Sequence, residues 1–86
     1  MFNIELGSPA KRFLKKCDKI LYVRLMENIR SLAADPFPSE VVRVKGKTKE
    51  KIFRVRVGDY RIQYAVFYDR NMLLVTDVDK RPRAYN

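Results

Sequence analysis

Apolar positions recur along this chain with two different periods, and the change of period divides it in two. Phe2 to Leu6 reads as a short strand. Ala10, Phe13, Leu14 and Cys17 then fall at i, i+3, i+4 and i+7, a one-faced helical stripe. Ser8-Pro9 supplies its start, with serine as N-cap and proline at the first helical position. Asp18 is placed to cap a second helix. The stripe of that helix is Leu21, Leu25, Ile29 and Leu32, with Tyr22, Met26 and Ala33 beside it. Asp35-Pro36 ends it, because the residue before proline is pushed out of the helical region. The two helices are expected to form an antiparallel hairpin.

After the loop Phe37-Pro38-Ser39 the period changes to two. Val41 to Lys45 reads as a short strand, and Gly46 to Glu50 as a charged loop. Lys51 to Val57 and Tyr60 to Tyr68 are strands rich in Val, Ile, Phe and Tyr. Between them, Gly58-Asp59 is a two-residue turn with glycine first, suited to type II′. Asp69-Arg70-Asn71 is the next turn and Met72 to Val78 the last strand. The chain shows no repeat, linker or low-complexity segment. The predicted order is βααββββ over a single domain, residues 1–86. This is an α+β fold with the helical hairpin packed on one face of a mainly antiparallel, twisted sheet.

The tight turn sets a register. Val57 should pair with Tyr60, Arg56 with Arg61, Val55 with Ile62, and Arg54 with Gln63. Side chains alternate faces along a strand. Phe53, Val55, Val57, Tyr60, Ile62, Tyr64 and Val66 then cover the helices, and parity places Tyr68 with them. Arg54, Arg56, Arg61 and Gln63 share the other face. With a three-residue turn at 69–71, Asp77, Asp79 and Arg81 join that face. Arg56 opposite Arg61 is an unfavourable pairing for a sheet, by several tenths of a kcal/mol. Such arginines can simply extend into solvent. They can also form an anion site, since guanidinium forks match phosphate oxygens. On a rigid sheet they can stabilise the charge that builds when a phosphodiester is attacked.

Composition sharpens this choice. Nineteen Lys and Arg oppose ten Asp and Glu in 86 residues, a net charge of +9. Seven bases (Arg43, Lys45, Lys47, Lys49, Lys51, Arg54, Arg56) lie between Arg43 and Arg56 against one acid, Glu50. Lys80, Arg81 and Arg83 add three bases and no acid from Lys80 onward. Clustering of this kind creates a local field and points to a polyanionic partner. No apolar run approaches the roughly 20 residues of a membrane span. The single cysteine, Cys17, cannot form an internal disulfide, so a reducing cytoplasm is the expected setting.

The chain has no histidine. That excludes a two-histidine ribonuclease and any Ser-His or Cys-His nucleophile pair. Cys17 sits on the helix stripe and reads as core. Asp77 and Asp79 without further ligands are a weak metal signal, and balancing the arginines is the better account, so no metal and no small-molecule cofactor is expected. Tyr85 has two functional readings, beside the plain one that it belongs to a frayed C-terminus. Neighbouring guanidinium charges favour its phenolate and suit it to act as a base. Alternatively, its ring can stack on an exposed RNA base.

Lys45-Gly46, followed by Phe53-Arg54-Val55-Arg56-Val57-Gly58-Asp59-Tyr60-Arg61-Ile62-Gln63-Tyr64, resembles the central signature of the RelE/ParE toxins. Its heart is an R-x-R-x-G-x-Y-R pattern. The segment Lys80-Arg81-Pro82-Arg83-Ala84-Tyr85 is similar to the terminal block of that family, and the helical hairpin also fits. In RelE-type members the implied activity is ribosome-dependent cleavage of mRNA in the A site. The ribose 2′-hydroxyl attacks the adjacent phosphorus and leaves a 2′,3′-cyclic phosphate. By this match Arg54, Arg56, Arg61, Arg81 and Tyr85 occupy catalytic positions. Lys45, Lys47 and Lys49 would contact ribosomal RNA, within a basic surface that Arg43, Lys51, Lys80 and Arg83 extend. The resemblance also implies a RelB-like antitoxin as partner, beside ribosome and mRNA. In well-known RelE members the positions of Arg54 and Arg56 are lysines. Arginine stays protonated and cannot serve as a base. Either Tyr85 activates the 2′-hydroxyl, or catalysis is positioning and electrostatics. The ParE branch shares the fold and poisons DNA gyrase by binding alone. A basic RNA-binding module without activity is a third reading.

Overall fold

Gly58 has φ +59°, while Asp59 keeps a negative φ. Positive φ at the first turn position only is the mark of the type II′ turn, whose twist suits a two-residue hairpin. It joins β3 (Ile52–Val57) to β4 (Tyr60–Phe67) in the expected register. The computed structural model describes residues 1–44 and 51–80. Around this hairpin lie β1 (Asn3–Leu6), α1 (Ser8–Lys16), α2 (Lys19–Ala34), β2 (Val42–Val44) and β5 (Met72–Lys80). The sheet order is β1-β5-β4-β3-β2. Among the described strands only the β1–β5 pairing is parallel, and it places the first and last of them side by side. The β4 and β5 strands are therefore interior, each hydrogen-bonded on both edges.

The helices form where the stripes predict them, with one boundary moved. Gly7, not Ser8, is the N-cap of α1, and Ser8 is already helical. The Gly7 N–H donates to the Val75 carbonyl at 2.8 Å, which ties the entry of the helix to β5. A Cβ on Gly7 would lie 3.2 Å from that same oxygen, so the close approach favours glycine. Asp18 caps α2 as expected, its carboxylate accepting from the Leu21 N–H at 2.9 Å. Asp35 closes the helix.

One core joins the two layers. Ala10, Leu14, Leu25, Ile29 and Leu32 from the helices bury against Val55, Val57, Ile62, Tyr64, Leu73, Val75 and Val78 from the sheet. Burying each of the valine, leucine and isoleucine side chains among them contributes about 1.5–3 kcal/mol. The Tyr64 hydroxyl, inside this core, donates to the Pro36 carbonyl and anchors the chain leaving α2. Two expected core residues lie elsewhere. Tyr68 is 67% exposed, because β4 ends at Phe67 and the chain enters a 3₁₀ turn, Tyr68–Arg70. Cys17 is half-buried at the C-cap of α1, not inside the core.

The β4–β5 connection is longer than three residues. Phe67 pairs with Met72, and Asn71 takes the left-handed conformation at φ 49°. Continued without a break, that register would turn Asp79 toward the helices and Val78 away from them. A β-bulge prevents this. Tyr64 pairs with Val75 but Gln63 pairs with Asp77, which leaves Thr76 as the extra residue. The Thr76 hydroxyl donates to the Gln63 carbonyl at 3.2 Å. Val78 therefore stays buried, and Asp77 and Asp79 face outward as expected, by a route different from the expected one.

Candidate functional site

Residues directly opposite one another in a sheet share a face. The register gives two rows across the face away from the helices. One is Val42–Arg54–Gln63–Asp77 and the other Arg56–Arg61–Asp79. The turn at Gly58 brings Arg56 and Arg61 together. The bulge at Thr76 brings Asp79 beside them. Arg56 is exposed, while Arg54, Arg61 and Gln63 are half-buried.

Arg61 is held on its β5 side. Its Nε–H donates to Asp79 Oδ1 at 3.1 Å and its Nη2 to Asp79 Oδ2 at 3.4 Å. The two side chains retain 23% and 41% of their exposure, so water still reaches both. The acid thus offsets the repulsion between Arg56 and Arg61 that the register imposes. The sequence predicts that Asp77 and Asp79 balance the arginines, and the structure pairs Asp79 with Arg61. Sequence reasoning missed Arg24. Its guanidinium comes over the hairpin turn, and a Cβ placed on Gly58 would lie 3.0 Å from its Nη2. Nothing in the linear pattern signals this, since α2 meets the turn only through tertiary packing.

Other basic residues of the expected surface lie away from this face. Arg43 pairs with Phe53 and so shares the side of the helices, exposed because β2 is an edge strand. Lys51 lines a cleft of about 320 Å³ with Phe37 and Phe53. Lys80 pairs with Tyr60, on the helix side, and lines a cleft of about 500 Å³ with Arg12, Lys16, Phe13 and Cys17. Lys45, Lys47, Lys49, Arg81, Arg83 and Tyr85 lie outside the described residues. The described part of the candidate site is therefore Arg54, Arg56 and Arg61, with Gln63, Asp77 and Asp79 around them. Such a face can bind the oxygens of a phosphodiester through its guanidinium forks, of which that of Arg61 is held by Asp79.

Among the described residues, two groups are shifted from their ordinary values. Burial, with the Asp35 and Glu40 carboxylates nearby, pushes the Tyr64 phenol up to about 12. Burial and the Asp18 carboxylate raise the Cys17 thiol, which keeps it protonated and unreactive near neutral pH. Among the described residues no cluster of three or more His, Cys, Asp or Glu is placed to hold a metal ion. No helix among them is long and apolar enough to cross a membrane.

The chain resembles known proteins over nearly all of its length. A family model described as the ParE toxin of the type II toxin-antitoxin system, parDE, matches residues 4–85. The toxin named RelE1 from Methanocaldococcus jannaschii is 29% identical over 85 residues, covering 98% of this chain and 94% of that protein. The structure of an archaeal RelE-RelB complex from Pyrococcus horikoshii superposes with a TM-score of 0.80 at 26% identity, covering 96% of this chain and 98% of that one. The isolated E. coli RelE toxin superposes with a TM-score of 0.81 at 15% identity, covering 98% and 88%, and shares the fold.

Proposed function

The chain belongs to the RelE/ParE toxin superfamily of type II toxin-antitoxin systems, and we propose that this RelE-like toxin is a metal-independent endoribonuclease that cuts mRNA in the ribosomal A site. The observation that carries the reading is the row Arg56–Arg61–Asp79, with Arg54 one row away, on the sheet face free of helices. Several guanidinium forks on one sheet face suit the successive phosphates of an RNA strand.

In this reading the ribose 2′-hydroxyl attacks the adjacent phosphorus and the 5′-oxygen of the next nucleotide leaves. The products are a 2′,3′-cyclic phosphate and a 5′-hydroxyl end. Arg61 and Arg81 neutralise the charge building on the non-bridging oxygens. Arg54 and Arg56 hold the flanking phosphates, and neither removes a proton, since a guanidinium stays charged. Tyr85 is then the group able to take or give a proton. Lys45, Lys47 and Lys49 bind ribosomal RNA, and the cytoplasm is the compartment where such a target is met. A RelB-like antitoxin is the proposed partner, as RelE is paired with RelB in the Pyrococcus horikoshii complex.

The test is inducible expression without antitoxin, followed by mapping of mRNA 5′ ends on translating ribosomes. New 5′ ends within reading frames and loss of protein synthesis are expected. The match to the ParE description favours a second reading, inhibition of DNA gyrase by binding. Continued protein synthesis with DNA breaks would select it.

A further inference from the structure

We propose that Asp79 is a positioning residue that holds the Arg61 guanidinium in the orientation needed to meet the scissile phosphate. The inference rests on the nuclease reading above and names a residue that its chemistry does not require to touch substrate.

Three observations support it. First, Asp79 lies directly opposite Arg61 in the β4–β5 register, and both strands are interior to the sheet. The two backbones are therefore fixed relative to each other. Second, the contact uses the Nε–H and Nη2 edge of the guanidinium, at 3.1 and 3.4 Å. A guanidinium presents five N–H donors in a planar fork. With one edge on the carboxylate, the Nη1 edge remains for a phosphate, and the plane of the fork is set. Third, Arg56 stands on the opposite side of Arg61 in the same row. Without Asp79 the two arginines would repel and Arg61 would sample other rotamers. At 23% and 41% exposure the pair adds little to folding. Its value lies in aim.

The test uses the full chain with translating ribosomes and single-turnover cleavage. Asp79→Ala should cut roughly ten- to a hundredfold more slowly, the scale expected of a misaimed group. Its affinity for ribosomes should be unchanged or higher, because an acid is removed from a basic face. Asp79→Glu should recover part of the rate. In an Arg61→Ala background, Asp79→Ala should remove nothing more, since it acts through Arg61. An equal loss in that background, or a wild-type rate in the single variant, overturns the proposal. Parallel loss of affinity and thermal stability also overturns it, in favour of a structural role. Cleavage by the wild type is the control for the reading beneath: if the wild type leaves mRNA intact, the nuclease reading falls. The pair is then judged by NMR on ¹⁵N-labelled protein, from rotation of the Arg61 guanidinium about its Nε–Cζ bond. Slow rotation in wild type that quickens in Asp79→Ala supports a held guanidinium, and fast rotation in wild type overturns it.

Discussion

Arg61 and Tyr64 are neighbours on β4 with opposite fates, three positions apart and on opposite faces. Arg61 meets solvent and an acid, so its removal should disturb chemistry more than folding. Arg61→Ala is expected to keep its stability within about 1 kcal/mol of wild type, the range for exposed ion pairs. Its single-turnover cleavage should fall about 10²–10³-fold, the usual effect of losing one preorganised donor. Urea unfolding and cleavage on the same preparation check both. Tyr64 is fully buried and bonded to the Pro36 carbonyl. Its folded pKa of about 12 lies above the ordinary 10.0, so the folded state holds a proton that the unfolded state loses first. The stability it contributes is complete below pH 10 and is lost as pH rises toward 12. Tyr64→Phe should cost about 1 kcal/mol at neutral pH and flatten this alkaline decline. Unfolding curves at pH 8 and pH 11 for both proteins test it, and an equal decline in the variant would assign the effect to another group.

At the scale of elements, two devices shape the arginine face, a tight turn and a bulge. Gly58 occupies φ +59°, where a side chain is strained. Gly58→Ala should therefore destabilise the protein by about 1–2 kcal/mol, read as a lower urea midpoint at unchanged slope. Asp59→Ala should shift the midpoint far less. The turn was plain in the sequence, because Gly-Asp between two alternating runs has one good hairpin geometry. The bulge was written more faintly. Leu73, Val75 and Val78 are the buried positions of β5, and their spacing of two and then three residues is the signature of one extra residue at Thr76. Read without it, a three-residue turn gives the right facing for Asp77 and Asp79, because the bulge compensates for the longer turn. Tyr68 has no such compensation. Parity carries it into the core only if β4 continues, and the strand stops one residue earlier.

At the scale of the whole molecule, the strand-borne bases among the described residues divide between the two faces of the sheet. Arg54, Arg56 and Arg61 face one way, while Arg43 and Lys80 lie on the helix side. Binding through phosphate contacts releases counterions, so affinity for ribosomes should fall linearly in log–log plots against salt. Replacing Lys45, Lys47 and Lys49 together by alanine should reduce that slope by roughly 2–3 while leaving thermal stability nearly unchanged. An unaltered slope would remove these lysines from the interface.

The amino-acid sequence by itself determined the element order, both helix stripes, the Asp18 cap, the hairpin register and the common face of three arginines. Each depends on local periodicity or a short turn, where the physics lies within a few residues of chain. The tertiary structure alone decided the rest. It set the parallel pairing of β1 with β5, which joins residues about seventy positions apart and leaves no local trace. It brought Arg24 over the Gly58 turn through packing between layers. It moved Cys17 to the rim and Tyr68 into solvent, because a stripe or a parity predicts burial only while its element continues. It also chose Asp79 over Asp77 as the partner of Arg61, since a cross-strand ion pair depends on register, and register here turns on a single bulged threonine.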